Sequence, residues 1–266
     1  MRAIALGALP LLLYAAFRRY LQGMHLVRPV MIALVTANAI NAAANWVLIY
    51  GNFAMPALGV EGSAWATNAA RVYMAAFLYG AIRLEHHRRG HRHPKVALGF
   101  DAARIRRLIT LGFPAASQVA LEVGVFALAT ALAGRLDPVS SGSHQIALNI
   151  ASLAFMVPLG LSSAAAVRVG YAYGAGERQR AVLAGWTALA SGCVIMAALG
   201  LVFFLWPVAL LRVFSTDQRI IDIGVGLLAI AAAFQLFDGT QAVATGALRG
   251  IPETRMPMIV NVIGHW

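Results

Sequence analysis

Two acidic side chains, Glu122 and Asp238, stand inside long apolar runs. A carboxylate at bilayer depth costs about 2.5–3.5 kcal/mol, so each needs protein or a water-filled cavity around it. Asp238 lies in the stretch FQLFDGTQAVATGALRG, residues 234–250. There Gln235, Asp238, Gln241 (or Ala242) and Thr245 recur at helical spacing and make one polar stripe. Glu122 follows Gln118 by one turn on the same face of its own run. Both acids sit near the middle of their runs, hence at similar depth. If the two helices pack together, the carboxylates face one cavity, which Gln118, Gln235 and Gln241 would line as a substrate site. Such a pair holds a proton or a cation near neutral pH and titrates as one coupled unit. Ionised, it offers hard oxygen ligands to a cation such as sodium; protonated, it does not. The chemistry is ion exchange, with no bond made or broken. The competing reading is a structural polar contact between membrane helices.

A second polar stripe is Asn38, Asn41 and Asn45, at i, i+3 and i+7. It reads either as interhelical hydrogen bonding or as carbonyl oxygens for a small cation. Thr67, Asn68 and Arg71 add polar groups to the following run. His86, His87, His91 and His93 lie in a basic segment without Cys and beside a single acid, Glu85, so a solvated loop is the simpler account than a metal site. No HExxH, phosphate-loop or GxSxG pattern occurs, so no enzyme activity, catalytic residue or cofactor is expected.

Composition sets what must position these groups. Of 266 residues 60% are hydrophobic and 12% charged, and the mean hydropathy is +0.73. This excludes an ordinary soluble domain and indicates an all-α polytopic membrane protein. The net charge of +11 falls between apolar runs, which speaks for membrane orientation and against nucleic-acid binding. One cysteine, Cys193, excludes a disulfide framework.

Apolar runs predict a short helix over 4–17, then helices from Pro29 to about Tyr50, 63–82, 108–134, 143–167, 181–205 and 220–248, with a further helix beginning at Met258. The first run is expected to be a membrane helix, not a cleavable leader. The intervening segments are expected to be loops, the longest being 84–107. Lys and Arg alternate in abundance from one loop to the next. Sixteen of the 21 collect on one side, in the loops holding Arg18, Arg83–Arg107, Arg168–Arg180 and Arg249–Arg255. That side is expected to be cytoplasmic. There is also an internal echo: Leu21-Gln22-Gly23 with Met31-Ile32 matches Leu248-Arg249-Gly250 with Met258-Ile259 at a constant offset of 227 residues. It suggests two parallel repeats, and hence a complete protein longer than this chain.

Several stretches, in this order, resemble the multidrug and toxic compound extrusion (MATE) family. They are YLQG from Tyr20, NAAANWVLIYG from Asn41, PALGVEGSAWAT from Pro56, LGFPAASQVALE from Leu111, HQIALNIASLAFMVPLGLSSAAAVRVGYAYGAG from His144, and DGTQAVATGALRGIPETRMPM from Asp238. The resemblance implies part of a two-lobed, twelve-helix antiporter fold. Residues 1–83 would be the rear of the N-terminal lobe (part of family helix four, then five and six), 84–107 a cytoplasmic interlobe loop, and 108–266 the C-terminal lobe (helices seven to ten and the start of eleven). The implied partners are cationic amphipathic small molecules, the lipid bilayer and the remaining helices of a complete transporter. The implied place is the bacterial inner membrane, with sodium or protons as the coupling ion. In the norfloxacin-extruding bacterial branch, the C-terminal cation site corresponds to Glu122 and Asp238. An aromatic hydroxyl joins that site in some members, where this chain has Phe234. Asn41, Asn45 and Thr67 match an N-terminal site whose Asp belongs to family helix one. Two alternatives stay open: a lipid-linked oligosaccharide flippase of the same superfamily, and a truncated membrane protein without transport activity.

Overall fold

The computed structural model describes residues 5–24, 26–53, 56–88 and 101–265. Among them every regular element is a helix: α1 (Ala8–Gly23), α2 (Val27–Tyr50), α3 (Gly59–Arg88), α4 (Ala102–Ala133), α5 (Pro138–Gly174), α6 (Arg178–Leu205), α7 (Pro207–Arg212), α8 (Gln218–Gly250) and α9 (Arg255–His265). Five of these, α2, α4, α5, α6 and α8, are long and apolar enough to cross a membrane, so the chain is a multi-pass membrane protein. At 16 residues α1 is short for a span. At 30 residues α3 is long enough, but Glu61, Arg71, Arg83 and Glu85 keep it more polar than the others.

The helices outrun the apolar segments that announce them. The expected loop 84–107 is helical at both ends, through Arg88 and again from Ala102. Its middle, with His91 and His93, lies outside the described residues. The Gly-rich stretch from Arg168, expected as a loop, continues α5 to Gly174. Arg18 and Arg19 are likewise within α1, and Arg249 within α8. Hydropathy ends where the apolar environment ends, whereas a helix ends where its backbone is capped or turned. Asp101 accepts the N–H groups of Ala103 and Arg104 at 3.0 and 3.1 Å, which starts α4 six residues before the apolar run. Asp137 does the same for Val139 and Ser140, with Pro138 in the first turn of α5. At the other end of α5, Gly176 takes φ +77°, the left-handed turn that separates it from α6. The expected loop after Leu205 holds one short helix, α7.

The chain divides into two compact units, Met1–Leu98 and Gly99–Trp266. In the first, α3 packs against both α1 and α2. Tyr14, Leu21, Val30, Ala33, Ala75 and Leu78 form its core. Gly62 lets α3 come close to α2: a Cβ there would stand 2.7 Å from the carbonyl carbon of Leu48. In the second, α5, α6 and α8 pack on one another, and α4 pairs with α9. Small residues set the α5–α8 crossing. Gly246 and Gly250, four apart on α8, lie against Ser162, Ala166 and Gly170 of α5. A Cβ at Gly250 would be 2.9 Å from the carbonyl oxygen of Ala166. In lipid, where no hydrophobic drive joins helices, such close backbone approach supplies the contact.

Candidate functional site

The polar stripe of α8 meets α4 through side-chain contacts at two ends. At one end Gln118 of α4 donates from Nε2 to Thr245 Oγ1 at 3.4 Å, and its Oε1 accepts from Arg249 Nη2 at 3.2 Å. At the other end the rings of Phe126 and Phe234 meet edge to face, with centroids 6.2 Å apart. Glu122 lies on α4 between Gln118 and Phe126, on their face. Asp238 lies on α8 between Phe234 and Thr245. Each carboxylate is one turn, about 6 Å of helix, from the Phe–Phe contact. The two acids therefore share one level of the unit. Asp238 is 8% exposed and Gln118 4%; Glu122 is half-buried.

Not every residue of the stripe faces α4. Gln235, expected in the same cavity, is 4% exposed and lies against α6, where a Cβ on Gly200 would be 3.6 Å from its Nε2. The reason is angular: Gln235 and Asp238 are three residues apart, which turns them by about 300° and lets a buried helix address two neighbours. Gln241 is half-buried. Thr240, beside it, turns to Cys193 of α6 at 3.2 Å.

In the first unit, Asn41, Asn45 and Thr67 also share a level. Tyr73 donates to Thr36 at 2.9 Å and Gly62 abuts Leu48, an antiparallel register that sets Thr67 beside the turn from Asn41 to Asn45. Their hydrogen bonds, however, stay within their own helices. Asn45 Nδ2 donates to Asn41 Oδ1 at 3.0 Å, and Thr67 Oγ1 to the Ser63 carbonyl at 2.9 Å. Asn45 Oδ1 is buried and has no hydrogen-bond partner among the described residues. Asn38 is exposed and bonds back to the Leu34 carbonyl. Asn68 and Arg71 reach toward Gly7, just before α1, where a Cβ would be 2.8 Å from Arg71 Nη1. His86 bonds Tyr20 of α1 at 2.9 Å, a structural use of a residue from the histidine cluster. Among the described residues no three His, Cys, Asp or Glu side chains gather as a metal site.

Sequence reasoning did not connect Arg249 with Gln118. The signal was present: Arg249 extends the Asp238–Thr245 stripe by one more turn. It was hidden because a basic residue at the end of an apolar run also reads as a loop charge. Phe126, one turn beyond Glu122, likewise drew no attention among apolar neighbours.

The carboxylate layer is bounded by an amide-centred contact and an aromatic one. Residues 114–265 match the MatE family model, a stretch that includes every residue of that layer. The chain belongs to the MatE family. Among curated relatives, a probable multidrug resistance protein NorM of Mesorhizobium japonicum is 40% identical over all of this chain and 58% of its own length. The multidrug resistance protein NorM of Burkholderia vietnamiensis is 38% identical with the same coverage. The chain thus spans somewhat over half the length of these relatives. Among solved structures, a MATE protein in complex with MaL6 superposes with a TM-score of 0.85 at 17% identity, over 99% of this chain and 58% of that one. The eukaryotic MATE transporter AtDTX14 gives 0.77 at 21% identity, over 94% and 55%. These likenesses establish the fold, and the family is one of transporters, not of enzymes.

Proposed function

We propose that this MatE chain is part of a cation-coupled multidrug exporter of the bacterial inner membrane, with the segment around residues 84–107 on the cytoplasmic side. The observation that carries the reading is the common level of Glu122 and Asp238 between α4 and α8. Two acids at one level of a low-dielectric layer are stabilised when a cation or a proton offsets their charge. A sodium ion, a proton or a cationic amphipathic drug can each supply that charge, so drug and coupling ion compete for the same acids. A transporter that must empty the layer of one before admitting the other is an antiporter. The membrane potential adds about 2.3 kcal/mol per charge per 100 mV. Asn41, Asn45 and Thr67 supply neutral oxygens for a second cation position in the first unit, where the carboxylate would come from another part of the complete protein.

The test is efflux of a cationic dye from cells carrying the complete reading frame, under an imposed sodium gradient and then an imposed proton gradient. Export driven by one of the two names the ion. Export that neither gradient drives removes the coupled-antiport reading.

A further inference from the structure

A groove of about 630 Å³ runs between α5, α6 and α8, at the end of the second unit where its arginines collect. It shares no residue with the carboxylate layer. Its floor is shallow in side-chain volume: at Gly185 an added Cβ would reach only ordinary contact, 3.9 Å, with Ala247 and Val169. Its walls are apolar, with Val182, Leu189, Leu248 and Ile251. Two amphipathic aromatics stand beside it, Tyr173 and Trp186, 56% and 69% exposed. The turn at Gly176, φ +77°, brings the end of α5 and the start of α6 together, so Tyr173 and Arg178 both border the groove. The neighbouring Arg180 is engaged by Glu177 at 2.8 Å. Arg178 is exposed and forms no ion pair among the described residues.

A narrow apolar trough beside one uncommitted guanidinium, flanked by a Tyr and a Trp, is complementary to a molecule with a long hydrocarbon tail and an anionic head. We infer that this groove binds an anionic phospholipid, with an acyl chain along Gly185 and Leu189 and the phosphate on Arg178. Basic sites between membrane helices recognise lipid headgroups in this way, and aromatic side chains hold the interfacial level. The guanidinium fork matches a phosphate oxygen pair. A zwitterionic lipid carries its own cation and gains less from Arg178.

The test is tryptophan quenching in nanodiscs by brominated lipids. In the complete protein Trp186 is kept as the sole tryptophan, with Trp46, Trp65, Trp206, Trp266 and any tryptophan outside this chain replaced by Phe. Brominated phosphatidylglycerol is expected to quench Trp186 at roughly fivefold lower mole fraction than brominated phosphatidylcholine, the factor one interfacial arginine contributes. Arg178→Gln should erase that preference and leave quenching by phosphatidylcholine in place. Arg178→Lys, which keeps the charge, should retain most of it, and the two variants together separate charge from loss of fold. Gly185→Leu, filling the floor, should weaken quenching by both lipids. Equal quenching by the two lipids in the parent would overturn the proposal, as would a preference that survives Arg178→Gln. Protection of Trp186 from both lipids in the complete protein would mean that a protein segment covers the groove, and would overturn it too.

Discussion

Each unit carries a layer of polar side chains within its helices, but the two layers are wired differently. In the first, the amides and hydroxyl of Asn41, Asn45 and Thr67 bond along their own helices. In the second, Gln118 bonds from α4 to two residues of α8, and a carboxylate stands on each of these helices. A local bond leaves helix packing to apolar contact and small residues. A cross-helix bond ties α4, whose main packing partner is α9, to α8 through polar side chains. The second layer therefore joins two helices through its side chains, whereas the first bonds along each helix.

That contrast is broken most directly by substitution in the complete reading frame. Asp238→Asn and Glu122→Gln are each expected to reduce gradient-driven dye efflux to the background rate, with normal membrane insertion. Asn41→Ala and Asn45→Ala should cost no more than about threefold, the factor corresponding to a membrane hydrogen bond of about 0.6 kcal/mol. Efflux rates decide it. An asparagine variant as damaging as Asp238→Asn would place the essential layer in both units and end the contrast.

The internal echo gives a second comparison. Gly23 ends α1 and Gly250 ends α8, at matching positions of the 227-residue offset, and each is followed within a few residues by the next helix. A Cβ at Gly23 meets nothing within 4 Å, whereas at Gly250 it would press on the Ala166 carbonyl at 2.9 Å. Gly250→Ala should destabilise by about 1–3 kcal/mol through overpacking. Gly23→Ala should be neutral or stabilising by up to about 1 kcal/mol. Thermal unfolding in detergent reads both. Equal effects would mean that the glycines serve the turn, not the crossing.

What the sequence made legible follows from these particulars. Membrane helices and their order are written in hydropathy, because lipid forces apolar surface and internal hydrogen bonding on every span. Helix ends were not, since Asp101, Asp137 and Gly176 act on the backbone outside the apolar runs. The partner of a polar residue was legible only as a face. Thr245 bonds Gln118 of α4, but Gln235 lies against α6, because a helix buried on several sides uses its whole circumference. Nor could spacing show that Asn45 donates to Asn41 along its own helix.

A smaller effect sharpens the wiring itself. If Gln118 ties α4 to α8, then Gln118→Leu and Thr245→Val should be non-additive. A coupling energy of about 0.6 kcal/mol is expected, and no more than about 1.7. The double-mutant cycle is read by thermal unfolding. The corresponding cycle of Tyr73→Phe with Thr36→Val in the first unit should give a similar figure, since that bond also crosses helices. Strict additivity at Gln118 would leave the Phe126–Phe234 contact as the tie between α4 and α8.

The smallest expected difference lies at the helix starts. In the second unit α4, α5 and α8 begin on Asp101, Asp137 and Asp217, whose carboxylates accept backbone N–H groups. In the first, α1 and α2 begin with no side-chain cap. Bonds from the Ser140 hydroxyl and then the Ser140 N–H hold Asp137 below the ordinary carboxylate range. The N–H of Arg219, then its side chain, do the same for Asp217. A carboxyl whose folded pKa is depressed contributes stability that is fully present above its unfolded value, about 3.9. That contribution is lost as pH falls through the folded value. Acidification below pH 4 should therefore speed amide exchange at Val139, Ser140 and Arg219 beyond the intrinsic pH effect, and leave the start of α2 unchanged by comparison. Asp137→Asn keeps a cap acceptor but cannot titrate, so it should remove the pH dependence at Val139 and Ser140 while preserving their protection at neutral pH. If exchange at these amides follows pH equally in the parent and in Asp137→Asn, the carboxylate is not what holds the start of α5.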